Sequence, residues 1–97
     1  MRSTKTYLTL LRSFKQRHAA EYGITRIGIF GSQARGTATS NSDVDVVVQL
    51  FHPDLFMLAG IKNDLEELLH QPVDVVRYRD SMNALLKQEI DRDVIYV

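Results

Sequence analysis

Two aspartates one residue apart, Asp43 and Asp45, stand at the mouth of an apolar run, Val46-Val47-Val48. Side chains two apart on a strand share a face. An extended segment here therefore sets two carboxylates side by side, with Val44 and Val46 facing the other way. A third acid, Asp74, sits among Val73, Val75 and Val76. An unpaired carboxylate in an apolar strand is costly, so Asp74 needs either a basic neighbour such as Arg77 or Arg79 or a cation. If the strands that carry the acids are neighbours, all three carboxylates converge. Such a cluster repels itself unless a cation sits within it or protons are taken up. Oxygen donors with no Cys or His among them select Mg²⁺ or Mn²⁺ over zinc. An isolated Asp-x-Asp would be read as a turn acid followed by a solvated strand acid. The third strand-borne acid and the turn upstream weigh against that reading.

Upstream, the apolar run Ile27-Gly28-Ile29-Phe30 ends in Gly31-Ser32. Glycine after a strand permits unusual φ and a close approach of backbone to ligand. The N–H groups that follow and the Ser32 hydroxyl can hydrogen-bond phosphate oxygens. Gly31-x-x-x-x-Gly36-Thr37 superficially matches a P-loop, but that motif requires Lys before the Thr, and here Thr37 follows Gly36 directly. The Gly28-x-x-Gly31 spacing also fails the dinucleotide fingerprint. Arg35 has two open roles, touching a triphosphate or pinning the loop to an acidic side chain. Ser42 is placed to orient Asp43. Phosphate cradle and metal acids together point to chemistry on a nucleoside triphosphate. His18, His52 and His70 share no metal-ligand spacing; His18 reads as a helix-surface or edge-of-core residue, and the other two as loop or helix-end residues. Tyr7, Tyr22, Tyr78 and Tyr96 form no stacking platform for single-stranded nucleic acid.

The elements that must position these groups follow from periodicity. Residues 4–22 read as an amphipathic helix, with Tyr7, Leu10 or Leu11, Phe14 and His18 at three- to four-residue spacing. Ser3 or Thr4 caps its start, and Gly23 fits the left-handed position after its end. Residues 24–30 form the first strand, residues 32–35 a short helical turn and residues 37–42 a polar loop. Residues 43–50 form the second strand, whose continuous apolar run after Asp45 predicts burial on both faces. Pro53 and Asp54 open a second long helix with Leu58, Ile61, Leu65 and Leu68 on its buried stripe. Gly60 within it implies close packing. Pro72 starts a strand from Val73 to Val76 or Arg77. Asp80 or Ser81 is expected to cap a last helix that buries Met82, Leu85, Leu86 and Ile90, and residues 94–97 form an edge strand. This order predicts an α/β (α+β) fold, a small mixed β-sheet flanked by helices. The crossover through the long helix makes strands two and three parallel neighbours, and the short loop after strand one makes strands one and two antiparallel.

Composition bounds the function. Ninety-seven residues are expected to form a single domain, 1–97, with little room for an enclosed acceptor pocket. Twelve basic and twelve acidic residues cancel, so no broad attraction to nucleic acid or an anionic membrane is expected. The absence of cysteine excludes disulfides, Cys-ligated zinc and thiol catalysis. The basic N-terminal segment lacks the apolar core of a signal peptide, and no apolar stretch approaches the ~20 residues of a membrane span, so a cytoplasmic protein is expected.

Gly31-Ser32-x-Ala34-Arg35-Gly36, five residues, then Ser42-Asp43-x-Asp45 resembles the signature of the DNA polymerase β-like nucleotidyltransferases. The chain is similar to their shortest members, the minimal nucleotidyltransferases, which are typically the antitoxins of pairs with HEPN-domain ribonuclease toxins. The resemblance implies the polymerase β-like nucleotidyltransferase fold and ATP as substrate. It implies that Gly31 and Ser32 contact the β- and γ-phosphates, with Arg35 and Ser42 counted among the nucleotide-binding residues. It assigns Asp43 and Asp45 to metal binding, and Asp74 as the third acid, which helps activate the incoming hydroxyl. In the two-metal route it implies, Asp43 and Asp45 hold one Mg²⁺ at the triphosphate, and all three acids bridge a second that acidifies the acceptor. No acceptor-binding domain follows the motif. The resemblance therefore points to adenylylation of a hydroxyl, tyrosine by implication, on a partner HEPN toxin. The competing reading is a non-catalytic antitoxin that neutralises its toxin by binding alone. Transfer to a small molecule such as an antibiotic is weaker, for want of an acceptor domain.

Overall fold

Two seven-residue strands rich in β-branched residues, β1 (Ile24–Phe30) and β2 (Val44–Leu50), form the centre of the sheet in a computed structural model that describes residues 2–97. The helix α1 (Thr4–Tyr22) precedes β1, and a five-residue helix, α2 (Gly31–Arg35), follows it. After β2 come α3 (Leu55–Leu69), β3 (Val73–Arg77), α4 (Ala84–Asp93) and β4 (Ile95–Tyr96). The sheet order is β3-β2-β1-β4. β1 pairs antiparallel with β2 and with β4, and β2 pairs parallel with β3 across the α3 crossover. The mixed sheet expected from loop lengths is the one that forms.

Strand parity sorts the core into two layers. Val44, Val46 and Val48 join Ile27, Ile29 and Val73 beneath α1 and α3, whose contribution is Tyr7, Leu11, Phe14, Ile61, Leu65 and Leu69. On the opposite face Val47 meets Phe30 and Ile90, with Val76, Met82 and Leu86 alongside. β2 is thus buried on both faces, as its apolar run predicts. Asp45 and Asp74 share the parity of Val47 and Val76, so they lie on the α4 face.

The helix ends follow their capping residues. The Ser3 hydroxyl accepts from the Thr6 N–H at 3.2 Å, Asp54 accepts from the Phe56 N–H at 2.7 Å, and Gly23 closes α1 in the left-handed region. Gly60 does permit close packing: a Cβ there would lie 2.9 Å from the Tyr22 hydroxyl of α1. Several expectations need correction, among them the last strand, which spans only Ile95–Tyr96. α2 begins at Gly31 rather than Ser32, and β2 at Val44, with Asp43 just before it. The last helix is capped by Asn83, whose side chain accepts from the Leu86 N–H at 3.0 Å, not by Asp80 or Ser81. With that start, Leu85 is rotated into solvent and is 77% exposed, while Met82 packs from the preceding loop.

Candidate active site

The parallel register pairs Asp45 directly with Asp74, and Val44 with Val73. Residues opposite each other in a ladder share a face, so the two carboxylates lie side by side at the start of adjacent strands. Asp43 precedes Asp45 by two residues and stands at the same end. Asp45 is half-buried; Asp43 and Asp74 are exposed. Asp74 is therefore not enclosed among its valines, and neither Arg77 nor Arg79 makes an ion pair with it among the described residues. Burial raises the Asp45 carboxyl to about 6, and the charges of Asp74, Glu89 and Asp43 push it the same way while Arg35 opposes them. The three carboxylates share an end of the sheet, although among the described residues their oxygens do not all come within 4.8 Å of one another.

Gly31 sits against this cluster. Its φ is +70°, and a Cβ built on it would collide with Oδ2 of Asp45. Only glycine therefore joins β1 to α2 while leaving the carboxylate its space. Ser32 is half-buried at the start of α2. The other three helices receive a side-chain cap at their N-termini; α2 starts at Phe30 with none. Its first N–H donors are left without a side-chain partner beside the acids.

The two roles open to Arg35 are now separated in part. Its Nη1 donates to Asp93 Oδ2 of α4 at 2.6 Å, so the arginine pins the motif loop to an acid. Asp93 is nearly enclosed, and hydrogen bonds from Arg92 and then Arg35 hold its carboxyl at about 2. Ser42 does not reach Asp43. Its hydroxyl accepts from the Thr39 N–H at 3.0 Å, and its own N–H returns to the Thr39 carbonyl at 3.0 Å. Ser42 thus shapes the tight turn that delivers Asp43 to the strand.

Residues 9–97 match the nucleotidyltransferase domain family. The chain belongs to that family. It is 33% identical to the protein adenylyltransferase MntA of Thermococcus cleftensis over 92% of this chain and 90% of that one. It is 32% identical, over the whole of both chains, to a candidate protein adenylyltransferase of Methanocaldococcus jannaschii. A solved minimal nucleotidyltransferase candidate superposes with a TM-score of 0.78 at 33% identity, covering 97% of this chain and 95% of that one. An MNT antitoxin complex with a tri-AMPylated Shewanella oneidensis HEPN toxin shares the fold, with a TM-score of 0.57 at 20% identity. It covers 88% of this chain and 70% of that one.

As a nucleotidyltransferase, the chain has a donor set that fits a hard divalent cation. The converging groups are all carboxylate oxygens, and they carry a charge conflict that such a cation relieves. Sequence reasoning missed two participants, Glu89 and Asp93, both on α4. Nothing in their local pattern distinguishes them from the acids of any solvated helix. They matter because α4 packs across the face on which Asp45 lies.

Proposed function

We propose that this nucleotidyltransferase is a Mg²⁺-dependent protein adenylyltransferase. It transfers AMP from ATP to a hydroxyl, tyrosine in our reading, of a partner HEPN-family toxin, and so acts as its antitoxin. The observation that carries the proposal is Asp45 in register with Asp74, beside Asp43, with Gly31 pressed against the Asp45 carboxylate. The adenylyltransferase names of relatives more than 30% identical over nearly the full chain support it. So does the fold shared with toxin-bound antitoxins.

In this proposal Gly31 and Ser32 present the uncapped N–H groups of α2 and the Ser32 hydroxyl to the β- and γ-phosphates. Asp43, Asp45 and Asp74 would hold magnesium, two ions in our reading, which would offset triphosphate charge and make the acceptor hydroxyl more acidic. In our reading Asp74, on the edge strand β3, helps activate the incoming hydroxyl. Arg35, tethered to Asp93, keeps α2 docked on α4 and directs positive charge at Asp45. Ser42 holds the turn before Asp43. The residues contribute position and charge, with no covalent intermediate on the protein.

A second reading, neutralisation by binding alone, draws on the exposed Phe51, Leu55 and Phe56, since large exposed apolar side chains mark interaction surfaces. Incubation of the chain with its partner toxin, ATP and Mg²⁺, followed by intact-mass measurement of the toxin, separates the two. A nucleotide-sized gain that requires Mg²⁺ supports transfer. An unmodified toxin that is nonetheless inhibited leaves binding alone.

A further inference from the structure

On the sheet face opposite the acids, the last turns of α1 meet α3. There His18 and Glu21 of α1 and Asp64 of α3 each offer a ligand atom, and the three atoms lie within 4.8 Å of one another. His18 Nδ1 stands 3.3 Å from Glu21 Oε2. We propose that these three side chains form a second metal site, which binds a divalent transition ion such as Zn²⁺ and braces α1 against α3.

His18 and Asp64 are each held in place by contacts outside the cluster, while Glu21, more than half exposed, contacts His18. The His18 ring stacks on Phe14, with centroids 4.7 Å apart, and faces Tyr22 at 6.0 Å. The Tyr22 hydroxyl donates to Asp64 Oδ2 at 2.5 Å, which orients the carboxylate. Gly60 lets Tyr22 sit against α3. A hydrogen-bonded outer group that orients a ligating carboxylate is a recurrent feature of metal sites.

The donor chemistry differs from that of the active site. One imidazole with two carboxylates favours zinc, cobalt or nickel, whereas an all-carboxylate set favours magnesium. His18 paired with Glu21 alone leaves the Asp64 charge facing Glu21; a divalent ion satisfies all three groups. A cavity of about 430 Å³, bounded in part by His18, Asp64 and His70, opens onto the cluster and has room for water to complete the coordination.

The test uses untagged protein carrying Asp43→Asn and Asp45→Asn, so that ions at the active-site acids do not count. Co²⁺ is titrated and followed by its visible absorption, Zn²⁺ is used to displace it, and thermal unfolding is recorded with each. One equivalent of Co²⁺ displaced by Zn²⁺ is expected. Zinc at about tenfold above its Kd should raise Tm by roughly 5–10 °C, and equimolar Mg²⁺ should leave it unchanged. Glu21→Gln should weaken Zn²⁺ binding about tenfold or more. This side chain is more than half exposed, so the variant folds even if His18→Gln, which loses the stack on Phe14, does not. No bound equivalent, unchanged zinc affinity in Glu21→Gln, or equal stabilisation by Mg²⁺ overturns the proposal.

Discussion

The two ends of β2 are built to opposite rules. At its start, Asp43, Asp45 and the neighbouring Asp74 concentrate negative charge, and half-burial holds the Asp45 carboxyl at about 6. Past its end, Phe51 is 72% exposed, Leu55 82% and Phe56 88%, so apolar surface stands in water. Between them Val46, Val47 and Val48 are fully enclosed. The middle of the strand supplies cohesion, and both ends depart from what stability alone would favour. The difference shows where the fold can accommodate function. Charge conflict is tolerated where a cation can relieve it, and exposed apolar groups are tolerated where they lie outside the core.

Substitutions should break this contrast in a definite order. Asp45→Asn is expected to reduce nucleotide transfer by roughly a thousandfold or more, because the cluster loses its central ligand; the mass of the partner after timed incubation measures it. Ile61→Ala, in the enclosed layer beneath α3, should cost about 2–4 kcal/mol in urea unfolding, with ATP binding retained wherever the variant is folded.

The charged end predicts a pH dependence for metal-free protein. Asp45 titrates at about 6 when folded against an ordinary 3.8, so the native state holds more protons between these values. The stability from this group is fully present below about pH 4 and is lost as pH rises through about 6. The stability difference between wild type and Asp45→Asn should therefore shift in the variant's favour over that window, by about 1 kcal/mol after solvent screening. Added Mg²⁺ should reverse the shift for wild type only. A flat difference from pH 4 to 7 would show that neither burial nor the neighbouring acids raise the Asp45 carboxyl. The smallest effect belongs to the far end: Phe56→Ser should change unfolding free energy by less than about 0.5 kcal/mol. A loss above 1 kcal/mol in the same assay would place Phe56 in the core after all.

Much of this architecture is legible along the chain because local chemistry and global fold agree. Ser3, Gly23, Asp54 and Pro72 mark element ends, and the valines of β2 announce burial on both faces. The misreadings have specific causes. Met82, Leu85, Leu86 and Ile90 carry helical spacing, but Met82 packs from a loop, and Asn83 starts the helix later than the pattern implies. Asp74 in its run of valines reads as buried, yet β3 is an edge strand and leaves it exposed. The histidines show no ligand spacing in sequence, because the third member of the His18 cluster comes from another helix.

The sequence by itself determined the elements and the antiparallel and parallel pairings, and it singled out the candidate site residues, since turn chemistry, strand parity and loop length act over a few residues. Only the tertiary structure decided that Asp45 meets Asp74 in register, that Gly31 must lack a side chain because Asp45 fills the space, and that Arg35 is held by Asp93. Those outcomes depend on groups tens of residues apart, brought together by packing on the two faces of one sheet, and no local pattern encodes which of many similar acids will be chosen.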